Sequence, residues 1–178
     1  QIDMTSFDFV TATCGNCHPG GGPLEYDRQG KRYDAWMSDP AAGLTPGGDN
    51  GFDGDYYKAR WSETGVIEAD CLLCHQPEYD LKKRNAELAG LNFRWAATAG
   101  AGFGVVKGQV ANCERPVVAY EKSQFDANGN IIIHLAPEPR NETCLGCHAK
   151  PDWKKRGASF TVRTDVRMAA GMRCVGCH

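Results

Sequence analysis

The chain has 178 residues, about the length of one domain, and its 42% hydrophobic content excludes a disordered or collagen-like polymer. With 21 glycines and nine prolines, loops should be plentiful and a purely polypeptide core thin, so something else must fill the interior. A net charge of −2 without a basic stripe of interleaved aromatics excludes nucleic acid as a partner.

The first residues, Gln1 to Val10, have neither a basic n-region nor an apolar h-region, and the leading residue is glutamine, so a secretory leader is expected to have been removed. Met4 lies in this stretch. Cys14-Gly-Asn-Cys17-His18 follows, the first of four pentapeptides of one pattern. Met37 sits in Tyr33-Asp-Ala-Trp-Met37-Ser38. Residues 43–55 are turn-rich and acidic, with Asp49, Asn50, Asp53 and Asp55 close together; a solvated loop is expected there, with calcium binding the alternative. The second pentapeptide is Cys71-Leu-Leu-Cys74-His75. Leu81, Leu88, Leu91 and Trp95 then recur at helical spacing without proline, which predicts the longest helix over 81–98. Ala99 to Gly104 reads Ala-Gly-Ala-Gly-Phe-Gly, which lets the backbone approach something closely, and a porphyrin face is the expectation. The uncharged stretch Trp95 to Val106 has 12 residues, too few and too weakly apolar to span a membrane.

Val117 to Phe125 and Asn130 to Leu135 are apolar runs separated by Asn128-Gly129, a two-residue turn signal, and predict one β-hairpin over about 117–135. The hairpin would carry His134. Asp126-x-Asn128-x-Asn130 superficially matches a calcium loop, but its twelfth position is Pro137 where a bidentate glutamate would be required. The third pentapeptide is Cys144-Leu-Gly-Cys147-His148. A helix over about 165–173 is expected to carry Met168 and Met172, and Cys174-Val-Gly-Cys177-His178 ends the sequence. Nothing follows His178, so the natural chain is expected to continue, and 1–178 is read as a single domain truncated at its C-terminus. Intervals of 57, 73 and 30 residues between first cysteines exclude a fixed-period repeat.

The four pentapeptides carry the chemistry. Roughly 0.01 of them would be expected by accident at this composition, and the spacing is that of c-type haem attachment. Two thiols three residues apart, Cys14 and Cys17, Cys71 and Cys74, Cys144 and Cys147, or Cys174 and Cys177, can each add to the two vinyl groups of one porphyrin. The adjacent His18, His75, His148 or His178 then reaches the iron from one side. Cysteine at i and i+3 with histidine at i+4 share one helix face, so each string should open or occupy a short helix. Zinc sites combine two thiol pairs into one tetrahedron, and iron–sulfur clusters take four thiolates; neither gives a role to a histidine after every second cysteine. Nor does a redox dithiol or a disulfide framework. Four haems c are the expected cofactors. Their thioethers consume all but Cys113, which is expected to be a buried free thiol.

Distal ligands are scarce. Of five histidines, four are proximal, and only His134 remains, so this chain can complete at most one bis-histidine haem by itself. The other candidates are Met4, Met37, Met168 and Met172, for each of which core packing is the simpler reading. Three arrangements stay open: His/Met haems, five-coordinate haems, or distal histidines from a missing tail or a neighbouring chain.

Charge is unevenly spread, with 14 acidic and five basic side chains in residues 1–80 and eight and fifteen in 81–178. Two unrelated solvated surfaces would suffice, but a head-to-tail contact between copies would also use such a dipole.

The strings, together with Cys17-His18-Pro-Gly-Gly-Gly-Pro, His75-Gln-Pro-Glu-Tyr-Asp80, Phe93-Arg-Trp-Ala-Ala-Thr-Ala-Gly100 and Asp165-Val-Arg-Met-Ala-Ala-Gly-Met-Arg-Cys174, resemble the multihaem c-type cytochromes of metal- and sulfur-metabolising bacteria and archaea. The resemblance implies a haem-cored, loop-rich fold with short α-helices, haem attachment outside the cytoplasm, and a periplasmic or cell-surface location. It also implies electron exchange with redox proteins or other cytochromes, in some relatives within extracellular filaments. One position departs from the pattern: Arg167 stands where a distal histidine often occurs. The expected function is electron transfer, a carrier rather than a catalyst. The alternatives are a multihaem reductase with one open five-coordinate haem, or a subunit of a filament.

Overall fold

The computed structural model describes Cys17 and residues 61–65, 70–148 and 160–177. Cys14, His18, His178, Met4, Met37 and the acidic stretch 43–55 lie outside the described residues.

Short helices dominate. They are α1 (Trp61–Thr64), α2 (Leu72–His75), α3 (Leu81–Ala89), α4 (Ala96–Gly100), α5 (Asn141–His148) and α6 (Val166–Ala169), with 3-10 turns at Phe93–Trp95, Val110–Asn112, Lys122–Gln124 and Cys174–Gly176. Two strands, β1 (Gly104–Lys107) and β2 (Val117–Tyr120), pair antiparallel with Gly104 opposite Tyr120 and Lys107 opposite Val117. Among the described residues no helix is long and apolar enough to cross a membrane.

Among the described residues the apolar core lies between α3, α4 and the turns around them. Leu88, Leu91, Phe93, Ala96, Ala99, Ala101 and Val110 are buried, and Leu73 joins them from α2. Asp80 starts α3 as its N-cap, accepting from the backbone N–H of Lys82 at 2.9 Å and of Lys83 at 3.1 Å. The Asp80 N–H donates to the Gly100 carbonyl at 2.8 Å, which fixes the end of α4 against the start of α3.

The helix expected over 81–98 is instead broken after Ala89. Leu91 has φ +58°, a left-handed conformation, and Asn92 is 1% exposed. A buried amide needs partners, and Asn92 finds four. Its N–H donates to the Glu87 carbonyl, its Nδ2 donates to the Glu87 carboxylate and the Gly108 carbonyl, and its Oδ1 accepts from the Val110 N–H. Leucine spacing signalled burial correctly, but satisfying this side chain costs the helix a turn.

The hairpin differs from its expected position. β2 begins at 117 as expected, but its partner is the preceding 104–107 rather than 130–135, and the latter run forms no strand. Asn128-Gly129 does make a turn: Gly129 has φ +80°, its N–H donates to the Asp126 carbonyl, and the Asp126 N–H donates to the Asn130 carbonyl at 2.8 Å. Beyond that one closure, residues 131–136 leave the turn as an extended segment. The Gly-rich run 99–104 also meets something other than the expected porphyrin. A Cβ at Gly100 would run into the Tyr79 ring and hydroxyl, and one at Gly104 would lie 2.9 Å from the Ala119 carbonyl.

Candidate haem sites

The second string is one turn of helix. Cys71 precedes α2, Cys74 and His75 end it, and the His75 N–H donates to the Cys71 carbonyl at 3.1 Å. The third string lies wholly inside α5, and the fourth occupies the 3-10 turn Cys174–Gly176 with Cys177 just beyond it. In the second and third strings the helical winding gives cysteines at i and i+3 a common helix face, as attachment to the two vinyl groups of one ring requires. None of the eight described cysteines, Cys113 included, is in a disulfide.

The ring of His75 is oriented by the backbone. Its Nδ1 lies 2.9 Å from the Ala136 carbonyl oxygen. A carbonyl can only accept, so the ring proton sits on Nδ1, and Nε2 keeps the lone pair that an iron would take. The Ala136 N–H closes the contact from the other side, donating to the His75 carbonyl at 2.7 Å.

Three strings converge. Arg140, just before α5, donates from its guanidinium to the Pro77 carbonyl at 3.0 Å, holding the third string against the end of the second. Asn141, the first residue of α5, accepts from the Cys174 N–H at 2.8 Å, and its amide nitrogen lies 3.5 Å from the Met172 carbonyl and 4.0 Å from the Met168 sulfur. An exposed ion pair, Arg173 with Glu138 at 2.6 Å, spans the same junction. The thiols register this closeness. Burial pushes the Cys144 thiol above its usual range, and Cys174, through its charge and a hydrogen bond, and Cys74 push it further. Cys147 Sγ reaches the Cys17 carbonyl at 3.7 Å, which brings in the first string.

Between the second and third strings lies a cavity of about 710 Å³, within the usual range of roughly 300–1,000 Å³ for ligand clefts. Cys74, Cys144, Cys147 and His148 line it, with Leu73, Tyr79 and Leu81 as apolar wall. Among the described residues no three histidine, cysteine or acidic side chains converge on one metal-ion position. The pair Cys144 and Cys147 with its own His148 on this cleft, and Cys74 across from it, fit porphyrin attachment better than a tetrahedral zinc site, which has no role for that histidine.

The remaining candidates are scattered. His134 is exposed on the extended run, two residues before Ala136. Met168 is half-buried against Asn141, while Met172 is 44% exposed. Cys113 is exposed in a left-handed conformation with φ +60°, which corrects the expectation of a buried thiol. The helix expected over 165–173 is only the four residues of α6, capped by Asp165, before Gly171 turns at φ +73°. Asp70, Tyr79, Ala136, Arg140 and Asn141 carried no motif in the sequence, because each works through a partner distant in the chain or through its backbone.

Residues 116–178 match the family model described as cytochrome c554 and c-prime. That segment is just over a third of the chain and contains His134 and the third and fourth strings. The match supports a c-type cytochrome, with haem c as cofactor and electron transfer as its chemistry. No curated protein and no solved structure matches the chain.

Proposed function

We propose that the chain conducts electrons through four haems c, one at each Cys-x-x-Cys-His string, between redox partners outside the cytoplasm. Bound haem supplies the one-electron ferric/ferrous couple. The protein's part is positional. Cys14, Cys17, Cys71, Cys74, Cys144, Cys147, Cys174 and Cys177 anchor the rings, and His18, His75, His148 and His178 are the proximal ligands. His134 is the distal ligand of one haem, the one non-proximal histidine in the sequence. The observation that carries the reading is the convergence of the second, third and fourth strings through Arg140, Asn141 and the Cys144–Cys174 contact. Close spacing of cofactors is what a carrier needs, and no side chain is required to do substrate chemistry.

The test is a pyridine haemochrome titration with intact mass measurement on protein matured in a haem c-producing host. Four haem masses per chain are expected, and fewer would overturn the count. His134→Ala should alter the spectrum of one haem and leave three alone. A shortage of distal ligands favours one second reading, a reductase with an open five-coordinate haem. Entirely low-spin paramagnetic-resonance spectra would exclude it.

A further inference from the structure

Beside the second string a buried carboxylate is paired with a half-buried tyrosine, a contact that attachment and ligation do not call for. Asp70, immediately before Cys71, is 7% exposed. One carboxylate oxygen accepts from the Leu72 N–H at 3.1 Å, and the other accepts from the Tyr79 hydroxyl. Tyr79 is held in place, because its ring and hydroxyl fill the space over Gly100 where a Cβ would otherwise stand. It also lines the cavity next to Leu73 and Cys74.

Burying a carboxylate is costly unless it is paired and hydrogen-bonded. The two donors here are neutral, so they satisfy lone pairs while leaving the charge in place. The buried Arg84 acts on Tyr79 through its charge. The carboxylate lies at the attachment point itself: Asp70 is the residue before Cys71, it accepts from the N–H of Leu72 inside the string, and its partner Tyr79 lines the cavity beside Cys74. A charge held there is close to any ring joined to the second string.

Resting on the tetrahaem reading above, we infer that Asp70 is the charge that sets the reduction potential of the second-string haem, with Tyr79 as the residue that positions and partly screens it. A fixed negative charge near the iron favours the ferric over the ferrous form, so that haem titrates at a lower potential than it would without Asp70. Electrons enter and leave singly, with no proton required.

The test is a spectroelectrochemical titration in which the electrode supplies and withdraws the electrons. Asp70→Asn keeps the size and an acceptor but removes the charge. One of the four waves should move positive by about a tenfold change in its equilibrium constant, which is 59 mV for one electron. Tyr79→Phe keeps the charge and removes a donor, so the same wave should move negative. A general loosening would move both variants the same way. An unmoved wave, a negative shift in Asp70→Asn, or shifts of one sign in both variants would overturn the assignment. If Asp70→Asn does not mature, Tyr79→Phe decides alone: a negative shift supports the assignment, and a positive or absent one overturns it. Haem content is counted on the same samples. Wild-type protein with fewer than four haems defeats the tetrahaem reading, whereas four haems with unmoved waves defeat only the role of Asp70.

Discussion

His75 and Ala136, 61 residues apart, are joined twice: the Ala136 N–H donates to the His75 carbonyl at 2.7 Å, and His75 Nδ1–H donates to the Ala136 carbonyl at 2.9 Å. The first bond fixes the backbone of the second string, and the second fixes the ring that it presents. Both partners are half-buried, so neither bond is readily replaced by water.

The two bonds can be separated. Ala136→Pro removes the backbone donor and keeps the carbonyl that His75 uses. We expect a loss of about 1 kcal/mol, the usual net worth of one such bond, read from a guanidinium melt followed by haem absorbance. An unchanged midpoint would mean that the extended segment is not anchored at this point.

Asn141 is the corresponding clamp between the third and fourth strings. Its three contacts all go to residues 168–174. Asn141→Ala leaves the Cys174 N–H without its acceptor and should destabilise the folded chain by about 1–2 kcal/mol. Asn141→Asp keeps the acceptor and should recover much of that loss. Equal losses in the two variants would place the energy in the contacts to methionine instead.

The four Cys-x-x-Cys-His strings were legible because the pattern is local: five residues contain both thiols and the histidine, and one helical turn suffices to arrange them. Burial of Leu88 and Leu91 was legible for the same reason, through helical spacing, although Leu81 and Trp95 of the same pattern are only half-buried. Pairings between distant segments were not. The turn at Asn128-Gly129 is local and was found, but strand pairing is not, and β2 lies against residues 104–107 instead of the run that follows the turn. The break after Ala89 was hidden because Asn92 carries no signal in sequence until Glu87, Gly108 and Val110 surround it. Asp70 likewise carries no signal in sequence until Tyr79 is placed against it.

Gly100 tests how tightly that tyrosine is held. Its φ is not in the left-handed region, so an alanine is acceptable to the backbone, and only space is at issue. The methyl group would collide with the Tyr79 ring and hydroxyl. Overpacking of this kind costs typically about 1–3 kcal/mol. Gly100→Ala should therefore lower the denaturation midpoint, and the double variant with Tyr79→Leu should recover part of the loss. Strictly additive effects in that pair would show that the two positions do not touch.

Asp126 supplies a prediction on acidification. The backbone N–H of Asn130, then its side-chain amide, hold this carboxyl below its usual range, with the N–H groups of Asn128 and Gly129 acting in the same direction. Its folded pKa is lower than its unfolded one, so the turn gains stability that is fully present above the ordinary carboxylate value of about 3.9. That stability is lost as the pH falls through the folded value, where the protonated group no longer attracts these N–H donors. A carbon-13 titration of the Asp126 carboxyl should give a midpoint below that of an unstructured peptide. Asp126→Asn should abolish the acid-induced change in the amide shifts of Asn128 and Asn130. A midpoint at or above the peptide value would show that residues 126–130 are held by the chain on either side of them and not by this carboxylate.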